Sequence, residues 1–143
     1  MKPFKFNIDV QKKLLSGYYS NYDDSVLALA LDVLSLKCRV ASDTWWTTKS
    51  GKLKKRNKGE LLMLAVSELA EAMEGERRDL MDDKLPHRRM AEVEIADCFI
   101  RLFDYCGAHG YDVGGALIEK MAYNAKRADH KPENRAKKNG KKF

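Results

Sequence analysis

Residues 61–76, LLMLAVSELAEAMEGE, and residues 92–105, EVEIADCFIRLFDY, decide how this chain is read. In the first, Glu68 and Glu71 stand three positions apart; in the second, Glu94 and Asp97 repeat that spacing. Three positions on an α-helix put two side chains on one face, so each segment offers a pair of carboxylates to a common neighbour. The surroundings are apolar: LLMLAV precedes the first pair, and Val93, Ile95, Cys98, Phe99 and Ile100 enclose the second. A helix apolar nearly all round is a buried one, and a carboxylate embedded in it needs a partner, because burying an unpaired charge is costly. Twenty-two residues separate the pairs, room for one helix to end, turn and return antiparallel. Four carboxylates would then converge. Such a cluster repels itself unless protons or a cation neutralise it, and an all-oxygen donor set suits Mg²⁺, with Mn²⁺ able to substitute. The expectation is an all-α chain with a divalent cation at Glu68, Glu71, Glu94 and Asp97. Glu74 continues the polar stripe one turn beyond Glu71.

A third element adds to the two acidic ones. In EKMAYNAKR, Lys120, Asn124 and Arg127 fall at i, i+4 and i+7, one stripe of a helix. Taken together, the two acidic helices and this stripe, from about Gly59 to Arg127, resemble the all-α nucleoside triphosphate pyrophosphohydrolases of the MazG-like group, whose signature is Glu-x-x-Glu, a spacer, then Glu-x-x-Asp. The resemblance implies a four-helix-bundle-like domain over residues 1–128, followed by a basic tail over residues 129–143. It implies a Mg²⁺-dependent enzyme that converts a nucleoside triphosphate to its monophosphate and pyrophosphate. Glu68 or Glu71 would take the proton of the attacking water, and Lys120, Asn124 and Arg127 would bind phosphate. It also implies a homodimer or homotetramer and a base pocket near the N-terminal helix and the segment before the first acidic helix. Trp45 and Trp46 stand in that segment, and an indole face suits stacking on a nucleobase. By area alone such a face favours a purine, so dGTP or GTP is the first expectation. The same carboxylate architecture serves dUTP- and dCTP-hydrolysing relatives and phosphoribosyl-ATP pyrophosphohydrolases, which stay open as alternatives.

A chain of 143 residues with 44% hydrophobic content is long enough to bury a core of its own. Its net charge of +6 is unevenly distributed. Residues 49–58, KSGKLKKRNK, carry six basic side chains and no acid, and residues 126–143 carry eight basic and two acidic, which leaves a net −6 on the rest. An acidic body with basic peripheral segments attracts polyphosphates and nucleic acids alike. No nucleic-acid fold signature accompanies the basic segments, so a non-catalytic nucleic-acid-binding protein is the alternative from a different class, and nucleic acid is not the expected partner. The longest apolar run, VLALALDVLSL, is interrupted by Asp32 and too short to span a bilayer. MKPFKFNIDVQKK lacks the apolar stretch of a secretory signal, so no membrane association and a cytoplasmic location are expected. Cys38, Cys98 and Cys106 are odd in number and show no Cys-x-x-Cys spacing, as reduced, buried thiols would.

Along the chain, IDVQKKLLSGYY predicts a short amphipathic helix ended by Gly17. A first main helix is predicted over about residues 25–39, capped by Asp23, Asp24 or Ser25. A long polar loop follows, then a helix over about 59–76 and a turn. A third main helix runs from Pro86, a favoured first-turn residue, to about Cys106. The fourth reaches from a cap at Asp112 to about Ala128. His87, His109 and His130 fall at helix ends or in the tail and are read as structural or surface residues, not ligands.

Overall fold

The structure, a computed structural model, describes residues 24–127. The predicted amphipathic helix before Gly17, the tail 129–143 and His130 lie outside the described residues. Within them the chain is all-α: α1 spans Asp24–Ala41, α2 Asp43–Trp46, α3 Lys58–Arg78, α4 Met90–His109 and α5 Val113–Lys126. The only β pairing among the described residues is two isolated antiparallel bridges, Thr47 with Leu53 and Met81 with Arg89.

Local chemistry sets these boundaries. Asn57 caps α3, its Oδ1 accepting from the backbone N–H of Gly59 at 2.9 Å and Glu60 at 3.3 Å. The helix ends where Asp79 adopts φ 51° and the Leu80 N–H reaches back to the Gly75 carbonyl at 3.0 Å, which satisfies a terminal acceptor. α4 stops at Gly110, φ 65°, a left-handed conformation that glycine takes without a Cβ penalty.

Two segments differ from expectation. Pro86 does not open the third main helix, which begins four residues later at Met90. Buried Asp82 organises the intervening turn, its carboxylate accepting from the N–H of Lys84 and Leu85, and the Met81–Arg89 bridge closes it. An Asp side chain that satisfies local backbone donors competes with helix at this point. The long loop after α1 is also structured. It forms the single turn α2 and then a tight reversal through Gly51, pinned by Thr48 N–H to the Lys52 carbonyl and Lys54 N–H to the Trp46 carbonyl, both at 2.8 Å.

The described chain forms two compact units, residues 31–113 and residues 24–30 with 114–127. In the larger, α3 and α4 run antiparallel: Gly75 lies against Met90 and Ala91 near the turn, and Glu68 reaches Arg101 further along. Small side chains permit the close approach. Ala65, Ala72, Ala91 and Cys98 are buried along this seam, and a Cβ at Gly75 would come within 3.0 Å of the Met90 Cβ. The C-terminal part of α1 packs on α4 in the same manner, with Ser35 Oγ donating to the Phe103 carbonyl at 2.8 Å and Gly107 facing the Arg39 Cβ. In the smaller unit the start of α1 meets α5 so tightly that a Cβ on Gly114 would lie 2.2 Å from the Ala28 carbonyl oxygen.

Part of the apolar surface of α3 and α4 stays uncovered in the single chain. Leu62, Met63, Val66, Leu69 and Met73 on α3, and Ile95, Phe99 and Ile100 on α4, are exposed. Each helix of the pair covers one side of the other, so the remaining apolar faces meet solvent in a single chain. Cys38 and Cys98 are buried, Cys106 is partly so, and all three are free thiols. No helix among the described residues is long and apolar enough to cross a membrane.

Candidate functional site

The antiparallel pairing of α3 and α4 turns the two acidic pairs toward one another. Glu68, Glu94 and Asp97 each bring a carboxylate oxygen within 4.8 Å of the others, a spacing at which one cation could be shared. Glu68 is the deepest, only 6% exposed, whereas Glu94 is half-buried and Asp97 exposed. Glu71, expected as a fourth ligand, does not join this group and is exposed. One turn further along α3 than Glu68, it still acts on the cluster through its charge. Glu94's carboxyl is pushed up to about 7, first by burial, then by the negative charge of Glu71, and then by hydrogen bonding with Glu68 and the charges of Glu68 and Asp97. Glu74 turns to Arg77 at 2.9 Å and Arg78 at 3.6 Å, and so takes no part.

Glu68 already has a counter-charge. Arg101, one turn beyond Asp97, donates from Nε to Glu68 Oε1 at 2.5 Å. The guanidinium is part-exposed while the carboxylate is enclosed, so the pair links the buried end of the cluster to the solvent side.

A cavity of about 460 Å³ opens beside this pair, within the larger unit. Asp97 and Arg101 belong to its lining, and Trp45, Arg56 and Asp104 contribute further polar and aromatic groups. Leu61, Leu64 and Ile100 supply apolar wall. Its size and its mixture of apolar surface with a few placed polar groups are those of a small-molecule site.

The two tryptophans have different environments. Trp46 is 7% exposed, and its indole Nε1 donates to both carboxylate oxygens of Asp104, at 3.0 and 2.9 Å. Its ring lies edge-on to His109, with the Arg39 and Arg56 guanidinium groups 5.2 and 5.8 Å from its centroid. Trp46 is therefore a packing and hydrogen-bonding residue, and its expected stacking on a base is corrected. Trp45 is 69% exposed at the cavity, with Arg56 Nη1 donating to its carbonyl at 3.1 Å. Burial raises the Asp104 carboxyl, opposed by the Trp46 hydrogen bond and the charges of Arg39 and Arg56.

No family model, curated protein or solved structure matches this chain.

Lys120, Asn124 and Arg127 lie on or just after α5, in the smaller unit. Lys120 Nζ and the Arg127 guanidinium both approach the Tyr123 ring, 4.8 and 5.9 Å from its centroid. Of the histidines, His109 is partly buried among Trp46, Tyr105 and Tyr111, and His87 is exposed in the turn.

Arg101, Asp104 and Arg56 were not singled out by the sequence patterns. A signal for two of them existed: Glu94, Asp97, Arg101 and Asp104 follow one another at spacings of three, four and three, a single polar stripe on an otherwise apolar helix. Arg56 had no such signal. It belongs to a run of basic residues in which only the fold separates the half-buried side chain from its solvated neighbours.

Proposed function

We propose that this protein is a divalent-metal-dependent nucleoside triphosphate pyrophosphohydrolase with a MazG-type helical domain, acting in the cytoplasm as a homodimer or homotetramer. The observation that carries the reading is the convergence of Glu68, Glu94 and Asp97 from two antiparallel helices, with Asp97 also lining a cavity that holds two arginines and an exposed indole.

The donor set fits Mg²⁺ or Mn²⁺. Three carboxylates of graded burial offer oxygen ligands only; burial first, and then the negative charge of Glu71, Glu68 and Asp97, raises the Glu94 carboxyl, and a bound cation would relieve that repulsion. A cation at Glu68, Glu94 and Asp97 would neutralise a polyphosphate and lower the pKa of a bound water. The chain's own groups supply the rest. Glu71, outside the converging trio and open to solvent, would accept the proton of a water directed at the α-phosphorus. Arg101 and Arg56 line the cavity with planar donors suited to phosphate oxygens. Trp45 offers an open face to a base, and Trp46 fixes the wall behind it through Asp104. The products are a nucleoside monophosphate and pyrophosphate.

The decisive experiment incubates the protein with ribo- and deoxyribonucleoside triphosphates, with Mg²⁺ or Mn²⁺, and resolves the products. Pyrophosphate and monophosphate are expected, with no orthophosphate. Glu68→Gln, Glu94→Gln and Asp97→Asn should each lower turnover by roughly two orders of magnitude or more while leaving the fold intact. If no nucleotide yields its monophosphate with either metal, the assignment is wrong.

A further inference from the structure

We propose that Asp104 reads the base edge, and that the cavity selects guanine nucleotides. The inference rests on the nucleotide-hydrolase reading above and supplies what that reading lacks, a group that discriminates among bases.

Asp97 and Asp104 lie seven residues apart on α4, on one face, separated by two turns or about 10 Å along the axis. Both line the same cavity, with Arg101 between them. A nucleotide lying along α4 with its phosphate end at Asp97 and Arg101 would bring its base to Asp104. The exposed Trp45 indole lines the same cavity and offers the flat surface a base needs.

The chemistry of the group then chooses the base. An ionised carboxylate only accepts hydrogen bonds, through two oxygens side by side. Trp46 Nε1 takes part of that capacity and fixes the carboxylate's orientation, and the remaining lone pairs belong to a group lining the cavity. The Watson–Crick edge of guanine carries adjacent N1–H and N2–H donors, which meet a carboxylate two for two. Adenine and cytosine each place an acceptor beside their single donor group, and uracil flanks its one N–H with carbonyls, so each sets an acceptor against Asp104. An acceptor facing a part-buried carboxylate is repulsive, and a missing donor leaves an oxygen unpaired; a site built around hydrogen bonds rejects such analogues strongly. Burial raises the Asp104 carboxyl, and the Trp46 hydrogen bond and the charges of Arg39 and Arg56 oppose that rise in favour of the charged form.

The test is equilibrium binding of nucleoside monophosphates in the presence of Mg²⁺, which reads the base without any turnover because these ligands contain no anhydride. Wild-type protein should bind GMP roughly tenfold or more tightly than IMP, which lacks the N2 donor, and more tightly still than AMP, CMP or UMP. Asp104→Asn keeps the size of the side chain and an oxygen for Trp46, but turns one acceptor into a donor. It should weaken GMP by at least about tenfold and strengthen XMP, whose C2 carbonyl accepts from the new amide. That inversion is a gain a merely structural role for Asp104 would not produce. The proposal is overturned if wild-type protein binds GMP no better than AMP, if no monophosphate binds, or if well-folded Asp104→Asn keeps the wild-type order. Guanine-first binding by a protein that hydrolyses no triphosphate would sink the enzyme assignment and leave base selection standing.

Discussion

Arg101 Nε donates to Glu68 Oε1 across the α3–α4 interface, placing a guanidinium on the most buried carboxylate of the acidic cluster. The contact joins the two motif helices at the level of the candidate cation site. It also offsets part of the repulsion among Glu68, Glu94 and Asp97, since Glu68 is enclosed and its charge is otherwise little screened.

Arg101→Gln should accordingly destabilise the protein in the presence of a chelator. Removing one partner of a fully buried pair costs about 3 to 5 kcal/mol; with Arg101 part-exposed, solvent screening reduces the expected loss to about 1 to 2 kcal/mol. Urea denaturation measures it. Adding Glu68→Gln in the same chain should restore much of the loss, and an Arg101→Gln midpoint equal to wild type would show the pair contributes nothing.

Stability without metal should depend on pH through Glu94. Its carboxyl is pushed up to about 7 from an ordinary 4.5, so the folded protein holds this proton more tightly than the unfolded chain. The associated stability is complete below the unfolded value and is lost as pH rises through about 7. Melting temperature in chelator should fall between pH 5 and pH 8, Glu94→Gln should flatten that fall, and Mg²⁺ or Mn²⁺ should raise the melting temperature more at pH 8 than at pH 5. A metal effect equal at both pH values contradicts this account.

The tryptophans should separate by function. Trp46→Phe leaves Asp104 without its indole donor and should cost about 1 to 3 kcal/mol in thermal or chemical denaturation. Trp45→Ala, at an exposed position, should change stability by no more than about 0.5 kcal/mol, yet weaken nucleotide binding across all bases. Equal stability losses in the two variants would be inconsistent with their different burial.

Association should follow from the exposed apolar face of α3. Met63, Val66 and Met73 are 62%, 49% and 58% exposed in the single chain, on a helix whose other side packs on α4. Contiguous apolar surface of this kind marks an interaction site. Sedimentation should give a mass above the 16.4 kDa of one chain at micromolar concentration, and Val66→Asp with Met73→Glu should reduce it. A wild-type monomer under those conditions rules out the oligomer.

Helix content was legible in the sequence because it is a local property. The apolar runs around SELAE and EIAD, the cap candidates at Asp24 and Asp112 and the 22-residue spacer place the four long helices to within a few residues of where they lie, apart from the Pro86 turn, where the Asp82 side chain outcompetes a favourable first-turn proline. The pairing of acidic segments was legible too, since i, i+3 spacing alone puts two carboxylates on one face. What spacing could not decide was which carboxylates meet. Convergence depends on the rotation and register of α3 against α4, set by Gly75, Ala65 and Ala72 at their seam, and that register gathers Glu68, Glu94 and Asp97 while leaving Glu71 outside. The same holds for Trp45 and Trp46. Adjacent and chemically identical, they are told apart only by Asp104, 58 residues beyond Trp46, which draws one indole inward and leaves the other at the cavity. Local sequence determines what each segment offers; packing between distant segments determines which offers are taken up.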